Sequence, residues 1–103
     1  MPRSYAITWR EACGLQYSGR LELEPDHIRL EGGSPAAGGA RHVPYSDIGR
    51  VRMARPGAER LDDRQTLIVE RLAGDDLRIA AVGEPGALTE IAERLAHRTS
   101  RRI

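Results

Sequence analysis

Apolar and polar residues alternate along most of the chain with the period of two that marks half-buried strands. Tyr5, Ile7 and Trp9 alternate with Ala6, Thr8 and Arg10. Leu15, Tyr17, Gly19, Leu21 and Leu23 then alternate with Gln16, Ser18, Arg20, Glu22 and Glu24. Beyond Pro25-Asp26 the pattern resumes, with Ile28 and Leu30 set against His27, Arg29 and Glu31. Folding the last two segments about Pro25-Asp26 predicts a hairpin register. Leu23 faces Ile28 and Leu21 faces Leu30 on one side, while Glu22 faces Arg29 and Arg20 faces Glu31 on the other. Apolar pairs and opposite charges are satisfied together, and a slip of one residue would lose both.

Residues 32–40 read GGSPAAGGA and carry no core-forming side chain, so they are expected to form a flexible loop. Strand character returns at residues 41–45, where Val43 and Tyr45 share a face. Pro44 cannot donate to a ladder and places that strand at an edge or a bulge. Ser46-Asp47 supplies turn chemistry, Ile48 is expected in the core, and Val51 and Met53 alternate with Arg50 and Arg52. Pro56-Gly57 opens a polar loop that runs through Asp62-Asp63. A second hairpin should join residues 65–71 to 77–82, with Val69 opposite Ile79, Leu67 opposite Ala81 and Glu70 opposite Arg78. One helix closes the chain, with Glu84 near its cap and Pro85 at its first position. Leu88, Ile91, Ala92 and Leu95 form its apolar stripe, and Glu90 and Arg94 stand four apart on the polar side. The basic tail from Arg98 to Arg102 is expected to fray, with residues 99–103 beyond the core. The tally is about seven antiparallel strands and one C-terminal helix.

Length and composition narrow the classes. A chain of 103 residues and 11.4 kDa, 40% hydrophobic and 30% charged, suits a single soluble domain over 1–103 with one core. It contains no apolar run long enough to span a membrane, and Met1 to Trp9 lacks the apolar region of a signal peptide. With one cysteine, Cys13, a cytoplasmic location is expected. A net charge of +1 argues against a nucleic-acid partner, as do four aromatic residues. All sixteen cations are arginine. The absence of lysine excludes the phosphate-loop, Schiff-base and kinase lysines together.

The stretch Tyr17-Ser18-Gly19-Arg20-Leu21-Glu22-Leu23, then Asp26-His27-Ile28-Arg29-Leu30, then Val43-Pro44-Tyr45-Ser46-Asp47-Ile48 resembles bacterial pleckstrin homology-like domains and the related GRAM domains. The resemblance covers about residues 5–98. It implies a mainly β fold, a partly open barrel of two orthogonal sheets capped at one end by the C-terminal helix. It also implies binding rather than catalysis: phosphoinositides in some members, peptides or self-assembly in others. The Lys-x-(Lys/Arg) cluster of lipid-binding members has no counterpart here, and the corresponding turn is acidic, Glu24-Pro25-Asp26.

Candidate chemistry is sparse. Cys13 would be reactive only beside a group that lowers its pKa, and reads as a small buried or half-buried side chain. His27, His42 and His97 show no metal-ligand spacing, and no metal or other cofactor is implied. Ser46, His42 and Asp47 make a triad only on paper, because no nucleophile elbow surrounds a serine. Asp62-Asp63 and Asp75-Asp76 lack the spacing of a calcium loop and suit turns. The densest basic cluster is Arg50, Arg52 and Arg55 with Arg41 one strand away. It is the candidate site for an anion or an acidic partner, set against a solvated face paired with neighbouring glutamates. The reading is therefore a non-catalytic module for protein–protein interaction or self-association. The alternative is a peripheral adaptor on anionic lipid, using Arg41, Arg50, Arg52, Arg98, Arg101 and Arg102.

Overall fold

A computed structural model describes residues 4–11, 14–33, 38–83 and 86–99. Among these are strands β1 (Ser4–Glu11), β2 (Gln16–Leu23), β3 (His27–Gly33), β4 (Gly38–Pro44), β5 (Ile48–Met53), β6 (Leu67–Arg71) and β7 (Leu77–Ala81), and helix α1 (Ala87–Thr99). A 3-10 turn over Tyr45–Asp47 joins β4 to β5. All pairings are antiparallel, in the order β4-β3-β2-β1-β7-β6-β5. The two layers expected of the barrel are two wings of one continuous curled sheet, because β1 pairs with both β2 and β7. The half-barrel stays open between β4 and β5, its two edge strands.

The inward positions read from the sequence fill the core. Tyr5, Ile7, Trp9, Leu21, Ile28, Leu30, Leu67, Val69, Leu77 and Ile79 are buried, and α1 adds Leu88, Ile91 and Leu95. Helix α1 packs on β5, the 3-10 turn and β7. Polar ties hold it at both ends. Tyr5 Oη donates to Glu90 Oε2 at 2.8 Å, and the Arg98 guanidinium lies 5.6 Å from the centre of the Tyr45 ring. Arg98 and Thr99 are thus part of the helix rather than of a fraying tail. The expected cap at Glu84 and Pro85, and the tail beyond Thr99, lie outside the described residues.

The first hairpin has the register read from the sequence: Leu23↔Ile28, Glu22↔Arg29, Leu21↔Leu30 and Arg20↔Glu31. Pro44 ends an edge strand, as its missing N–H requires. Other expectations need correction. Leu15 is not an inward strand residue but is 52% exposed, since the β1–β2 ladder ends at Arg10↔Gln16 and leaves it in the turn. Residues 32–40 are not all loop. Gly32 pairs with Gly39, Gly33 with Gly38 and Glu31 with Ala40, because a ladder is made by backbone and needs no side chain. At Gly39 the bare backbone leaves room for a neighbour: a Cβ there would lie 2.8 Å from the Tyr17 ring, which packs on Trp9 with ring centres 4.7 Å apart. Residues 34–37 lie outside the described set.

The second hairpin is displaced by two residues from the expected register, pairing Leu67↔Ile79, Ile68↔Arg78 and Val69↔Leu77. A shift of two keeps every side chain on its face, so hydrophobic alternation cannot choose between the registers. The choice is made by a residue distant in sequence. The backbone carbonyl of Asp47 accepts from Leu72 N–H at 2.7 Å, and its Oδ1 accepts from Ala73 N–H at 3.0 Å, fixing the turn after β6. Arg78 therefore stands opposite Ile68 rather than Glu70, and on the other side of β6 Glu70 stands opposite Arg50 of β5.

Candidate functional site

Beyond Ile48 the β5–β6 ladder shifts register, and regular pairing resumes with Arg50↔Glu70, Val51↔Val69, Arg52↔Ile68 and Met53↔Leu67. Val51 and Met53 share the side of Val69 and Leu67, toward α1, while Arg50 and Arg52 take the opposite face. At the strand's outer margin no further strand covers them among the described residues. A groove of about 360 Å³ runs between this margin and the helix, lined by Val51, Arg52, Met53, Leu67, Ala92, Glu93 and Ala96. Met53 remains 38% exposed. On the helix side the lining residues Ala92 and Ala96 offer only methyl groups, so an apolar slot remains where a larger side chain would fill it.

On the other face Arg52 is clamped. Its Nη1 and Nη2 donate to Glu59 Oε1 and Oε2 at 3.0 and 2.9 Å, and its Nε donates to Glu70 Oε2 at 2.7 Å. The backbone N–H of Arg55 donates to Glu59 Oε1 at 2.8 Å. Arg52 first, and the Arg55 amide second, hold the Glu59 carboxyl down to about 2. Glu59, then Glu70, push the Arg52 guanidinium further above its ordinary value. The clamp fixes a charged shoulder beside the groove, with Arg50 exposed at its end.

Arg41 stands on β4, the other edge strand, and is engaged differently. Its position opposite Leu30 is an inward one, and its Nε donates to Glu11 Oε1 at 2.9 Å. Glu11 also approaches Arg71 Nη1 at 3.7 Å, and Arg71 Nε donates to Asp47 Oδ2 at 2.8 Å. The chain Arg41–Glu11–Arg71–Asp47 thus links β4, β1, β6 and the 3-10 turn. Glu11 raises the pKa of Arg41, and Arg71 together with the Ala73 amide lowers that of Asp47. Of the four arginines singled out in the sequence, Arg50, Arg52 and Arg55 adjoin one another around Glu59 and Glu70, whereas Arg41 belongs to this second network.

The remaining candidates have mundane partners. His27 and His42 are brought together with ring centres 5.0 Å apart, and His27 Nδ1 lies 2.7 Å from Asp26 Oδ1, which lowers the pKa of Asp26. His97 is on α1, and among the described residues no group of three or more His, Cys, Asp or Glu is placed to hold a metal. The paper triad of Ser46, His42 and Asp47 has its carboxylate committed to Arg71 and Ala73. Asp62 and Asp63 occupy left-handed backbone at φ 50° and 60°, a conformation aspartate tolerates in turns. Asp76 Oδ1 accepts from the Arg71 N–H at 3.4 Å. Cys13 lies outside the described residues. A shallow depression of about 730 Å³ crosses the glycine-rich ends of β2, β3 and β4, rimmed by Arg20 and Glu31, which stand 3.4 Å apart.

Sequence reasoning found the arginines but missed the groove and the glutamates that organise them. The alternation of Val51 and Met53 was a usable signal for a face. That α1 covers this face only in part was not encoded in either segment alone.

No protein-family model matches the chain, and no curated protein matches it. Among solved structures it is similar to the C-terminal domain of an unknown protein from Leishmania infantum, with a TM-score of 0.65 at 12% identity, covering 93% of this chain and 81% of that one. It is also similar to the pleckstrin homology domain of USP37, with a TM-score of 0.58 at 19% identity, covering 96% of both chains. At these identities the likeness establishes the fold alone. The chain has a pleckstrin homology-like fold: a curled half-barrel of seven antiparallel strands with one C-terminal helix. No helix among the described residues is long and apolar enough to cross a membrane.

Proposed function

We propose that this protein is a non-catalytic interaction module that takes up an extended segment of a partner protein along the outer margin of β5. The observation that carries the reading is the pairing of an uncovered strand edge with an apolar groove, formed by Val51 and Met53 on one side and Ala92 and Ala96 on the other. An added strand would gain backbone hydrogen bonds from β5, and alternate side chains would enter the groove beneath α1. The shared fold with a pleckstrin homology domain supports binding over catalysis.

The test is selection of a random peptide library on the immobilised protein, repeated on Met53→Arg. Recovered peptides should alternate apolar residues and should lose binding to Met53→Arg. Peptides that bind both forms equally would overturn the reading. Salt-sensitive flotation with anionic vesicles, in the absence of peptide binding, would replace it with the lipid-adaptor alternative. That alternative draws less support from the structure, because Arg41 and Arg52 are already engaged by Glu11, Glu59 and Glu70.

A further inference from the structure

The reading of β5 as the binding edge leaves open what occupies it, and the present inference rests on that reading. A second copy of the chain is the simplest occupant of an exposed edge. Two copies of β5 paired antiparallel would have to keep Val51 and Met53 on the groove side of both strands. Among the registers that do so, those centred on Arg50, Val51 or Arg52 place outward arginines opposite one another. Centring the pair on Val51 sets Arg50 against Arg52 of the other copy, and centring it on Arg52 sets that residue against itself. Registers shifted by one residue put arginine on the apolar side. Like charges directly opposite in a ladder are destabilising, and burying the guanidinium over the core is worse.

The charges on the shoulder point to the complementary occupant. Arg50 and Arg52 lie on it beside two carboxylates, Glu59 and Glu70, and the Arg55 backbone N–H also donates to Glu59. Both carboxylates already serve Arg52. Arg50 is exposed and has no carboxylate within ion-pair distance among the described residues. The groove side carries no arginine or lysine beyond the clamped Arg52, and its rim bears Glu93, which would repel an acid entering the slot.

We infer that the segment bound by β5 is an acidic extended peptide of another protein, with apolar side chains entering the groove and carboxylates on the alternate positions facing Arg50. The charge pattern sets orientation and selectivity, while the apolar contacts and backbone bonds supply the attachment.

Two short synthetic peptides test this, one alternating valine with glutamate and one alternating valine with lysine, measured by fluorescence anisotropy at low and high salt. The glutamate peptide should bind at least about tenfold tighter than the lysine peptide, with the gap narrowing in high salt. Arg50→Glu, at an exposed position, should reverse the preference, and Met53→Arg should abolish binding of both. Equal binding, or a preference for lysine, that still disappears in Met53→Arg would overturn the acidic inference and leave β5 as the edge. Binding of either peptide that survives Met53→Arg, or no binding of either, would overturn both. A dimer in sedimentation that Met53→Arg dissolves would overturn the exclusion of a second copy.

Discussion

The two edge strands of the half-barrel handle the same hazard in opposite ways. Both end the sheet, and an unpaired edge invites another strand. On β4 the inward position opposite Leu30 is Arg41, whose charge is held by Glu11, and the strand ends at Pro44, which has no N–H to offer. A strand laid against β4 would cover an ion pair and meet a missing donor. On β5 the inward positions are Val51 and Met53, and the helix above them presents alanines. The first part of β5 is guarded by its register shift and by Leu72, whose Cδ2 would lie 2.9 Å from a Cβ at Gly49. The stretch from Arg50 to Met53 is left open. What separates a closed edge from a receptive one here is largely the chemistry of a few inward side chains, since the two strands are similar in length.

Perturbations should divide along the same line. The largest effect is expected for Leu95→Ala, since Leu95 is fully buried between α1 and the sheet. A loss of about 3 kcal/mol in denaturant unfolding is expected, from lost transfer energy and the cavity left behind. Peptide binding at β5 should weaken with it, because the same helix roofs the groove. Gly39→Ala should cost less, about 1 kcal/mol, because the new Cβ meets only the far end of the Tyr17 ring, which can move. That change lies on β4 and should leave binding at β5 intact. A parallel loss of binding would mean that the two edges are not independent.

Acid should separate the two charge networks more gently. The folded pKa of Glu59 is about 2, below its ordinary 4.5, so its contribution is present above about pH 4.5 and is lost as the pH falls toward 2. Asp47 is likewise lowered from 3.8, so its contribution fades as the pH falls below that value. Thermal melts of Glu59→Gln should therefore be flatter than wild type between about pH 4.5 and 2, and those of Asp47→Asn flatter below about pH 3.8. The Glu59 change should also release Arg52 from one carboxylate, leave the shoulder more positive and strengthen acidic-peptide binding, whereas Asp47→Asn should leave that binding unchanged.

The parts of the fold legible in the sequence are those set by neighbours in sequence. The β2–β3 register followed from its own two segments, because apolar and charged pairs selected one alignment and the turn between them is short. The stripe of α1 was legible for the same reason. The β6–β7 register was not, because two alignments keep the faces equivalent and Asp47, far away in the chain, decides between them. Leu61 sits in what read as a polar loop, yet it is 2% exposed. Its N–H donates to Thr66 Oγ1 at 3.0 Å, a tie that only the folded chain creates. The candidate site shows both kinds of signal. Arg50, Arg52 and Arg55 lie close in sequence and were found together. Glu59 and Glu70 reach them from a loop and the next strand, and the groove exists only where α1 and β5 meet.

The central claim is that β5, not β4, receives the partner segment. Hydrogen–deuterium exchange with and without the glutamate–valine peptide tests it most directly, because an added strand protects the amides it pairs with. The account predicts new protection over residues 50–54 and in α1 around residues 92–96, with residues 38–44 unchanged. Protection confined to residues 38–44, or to the glycine-rich ends of β2 and β3, would contradict it.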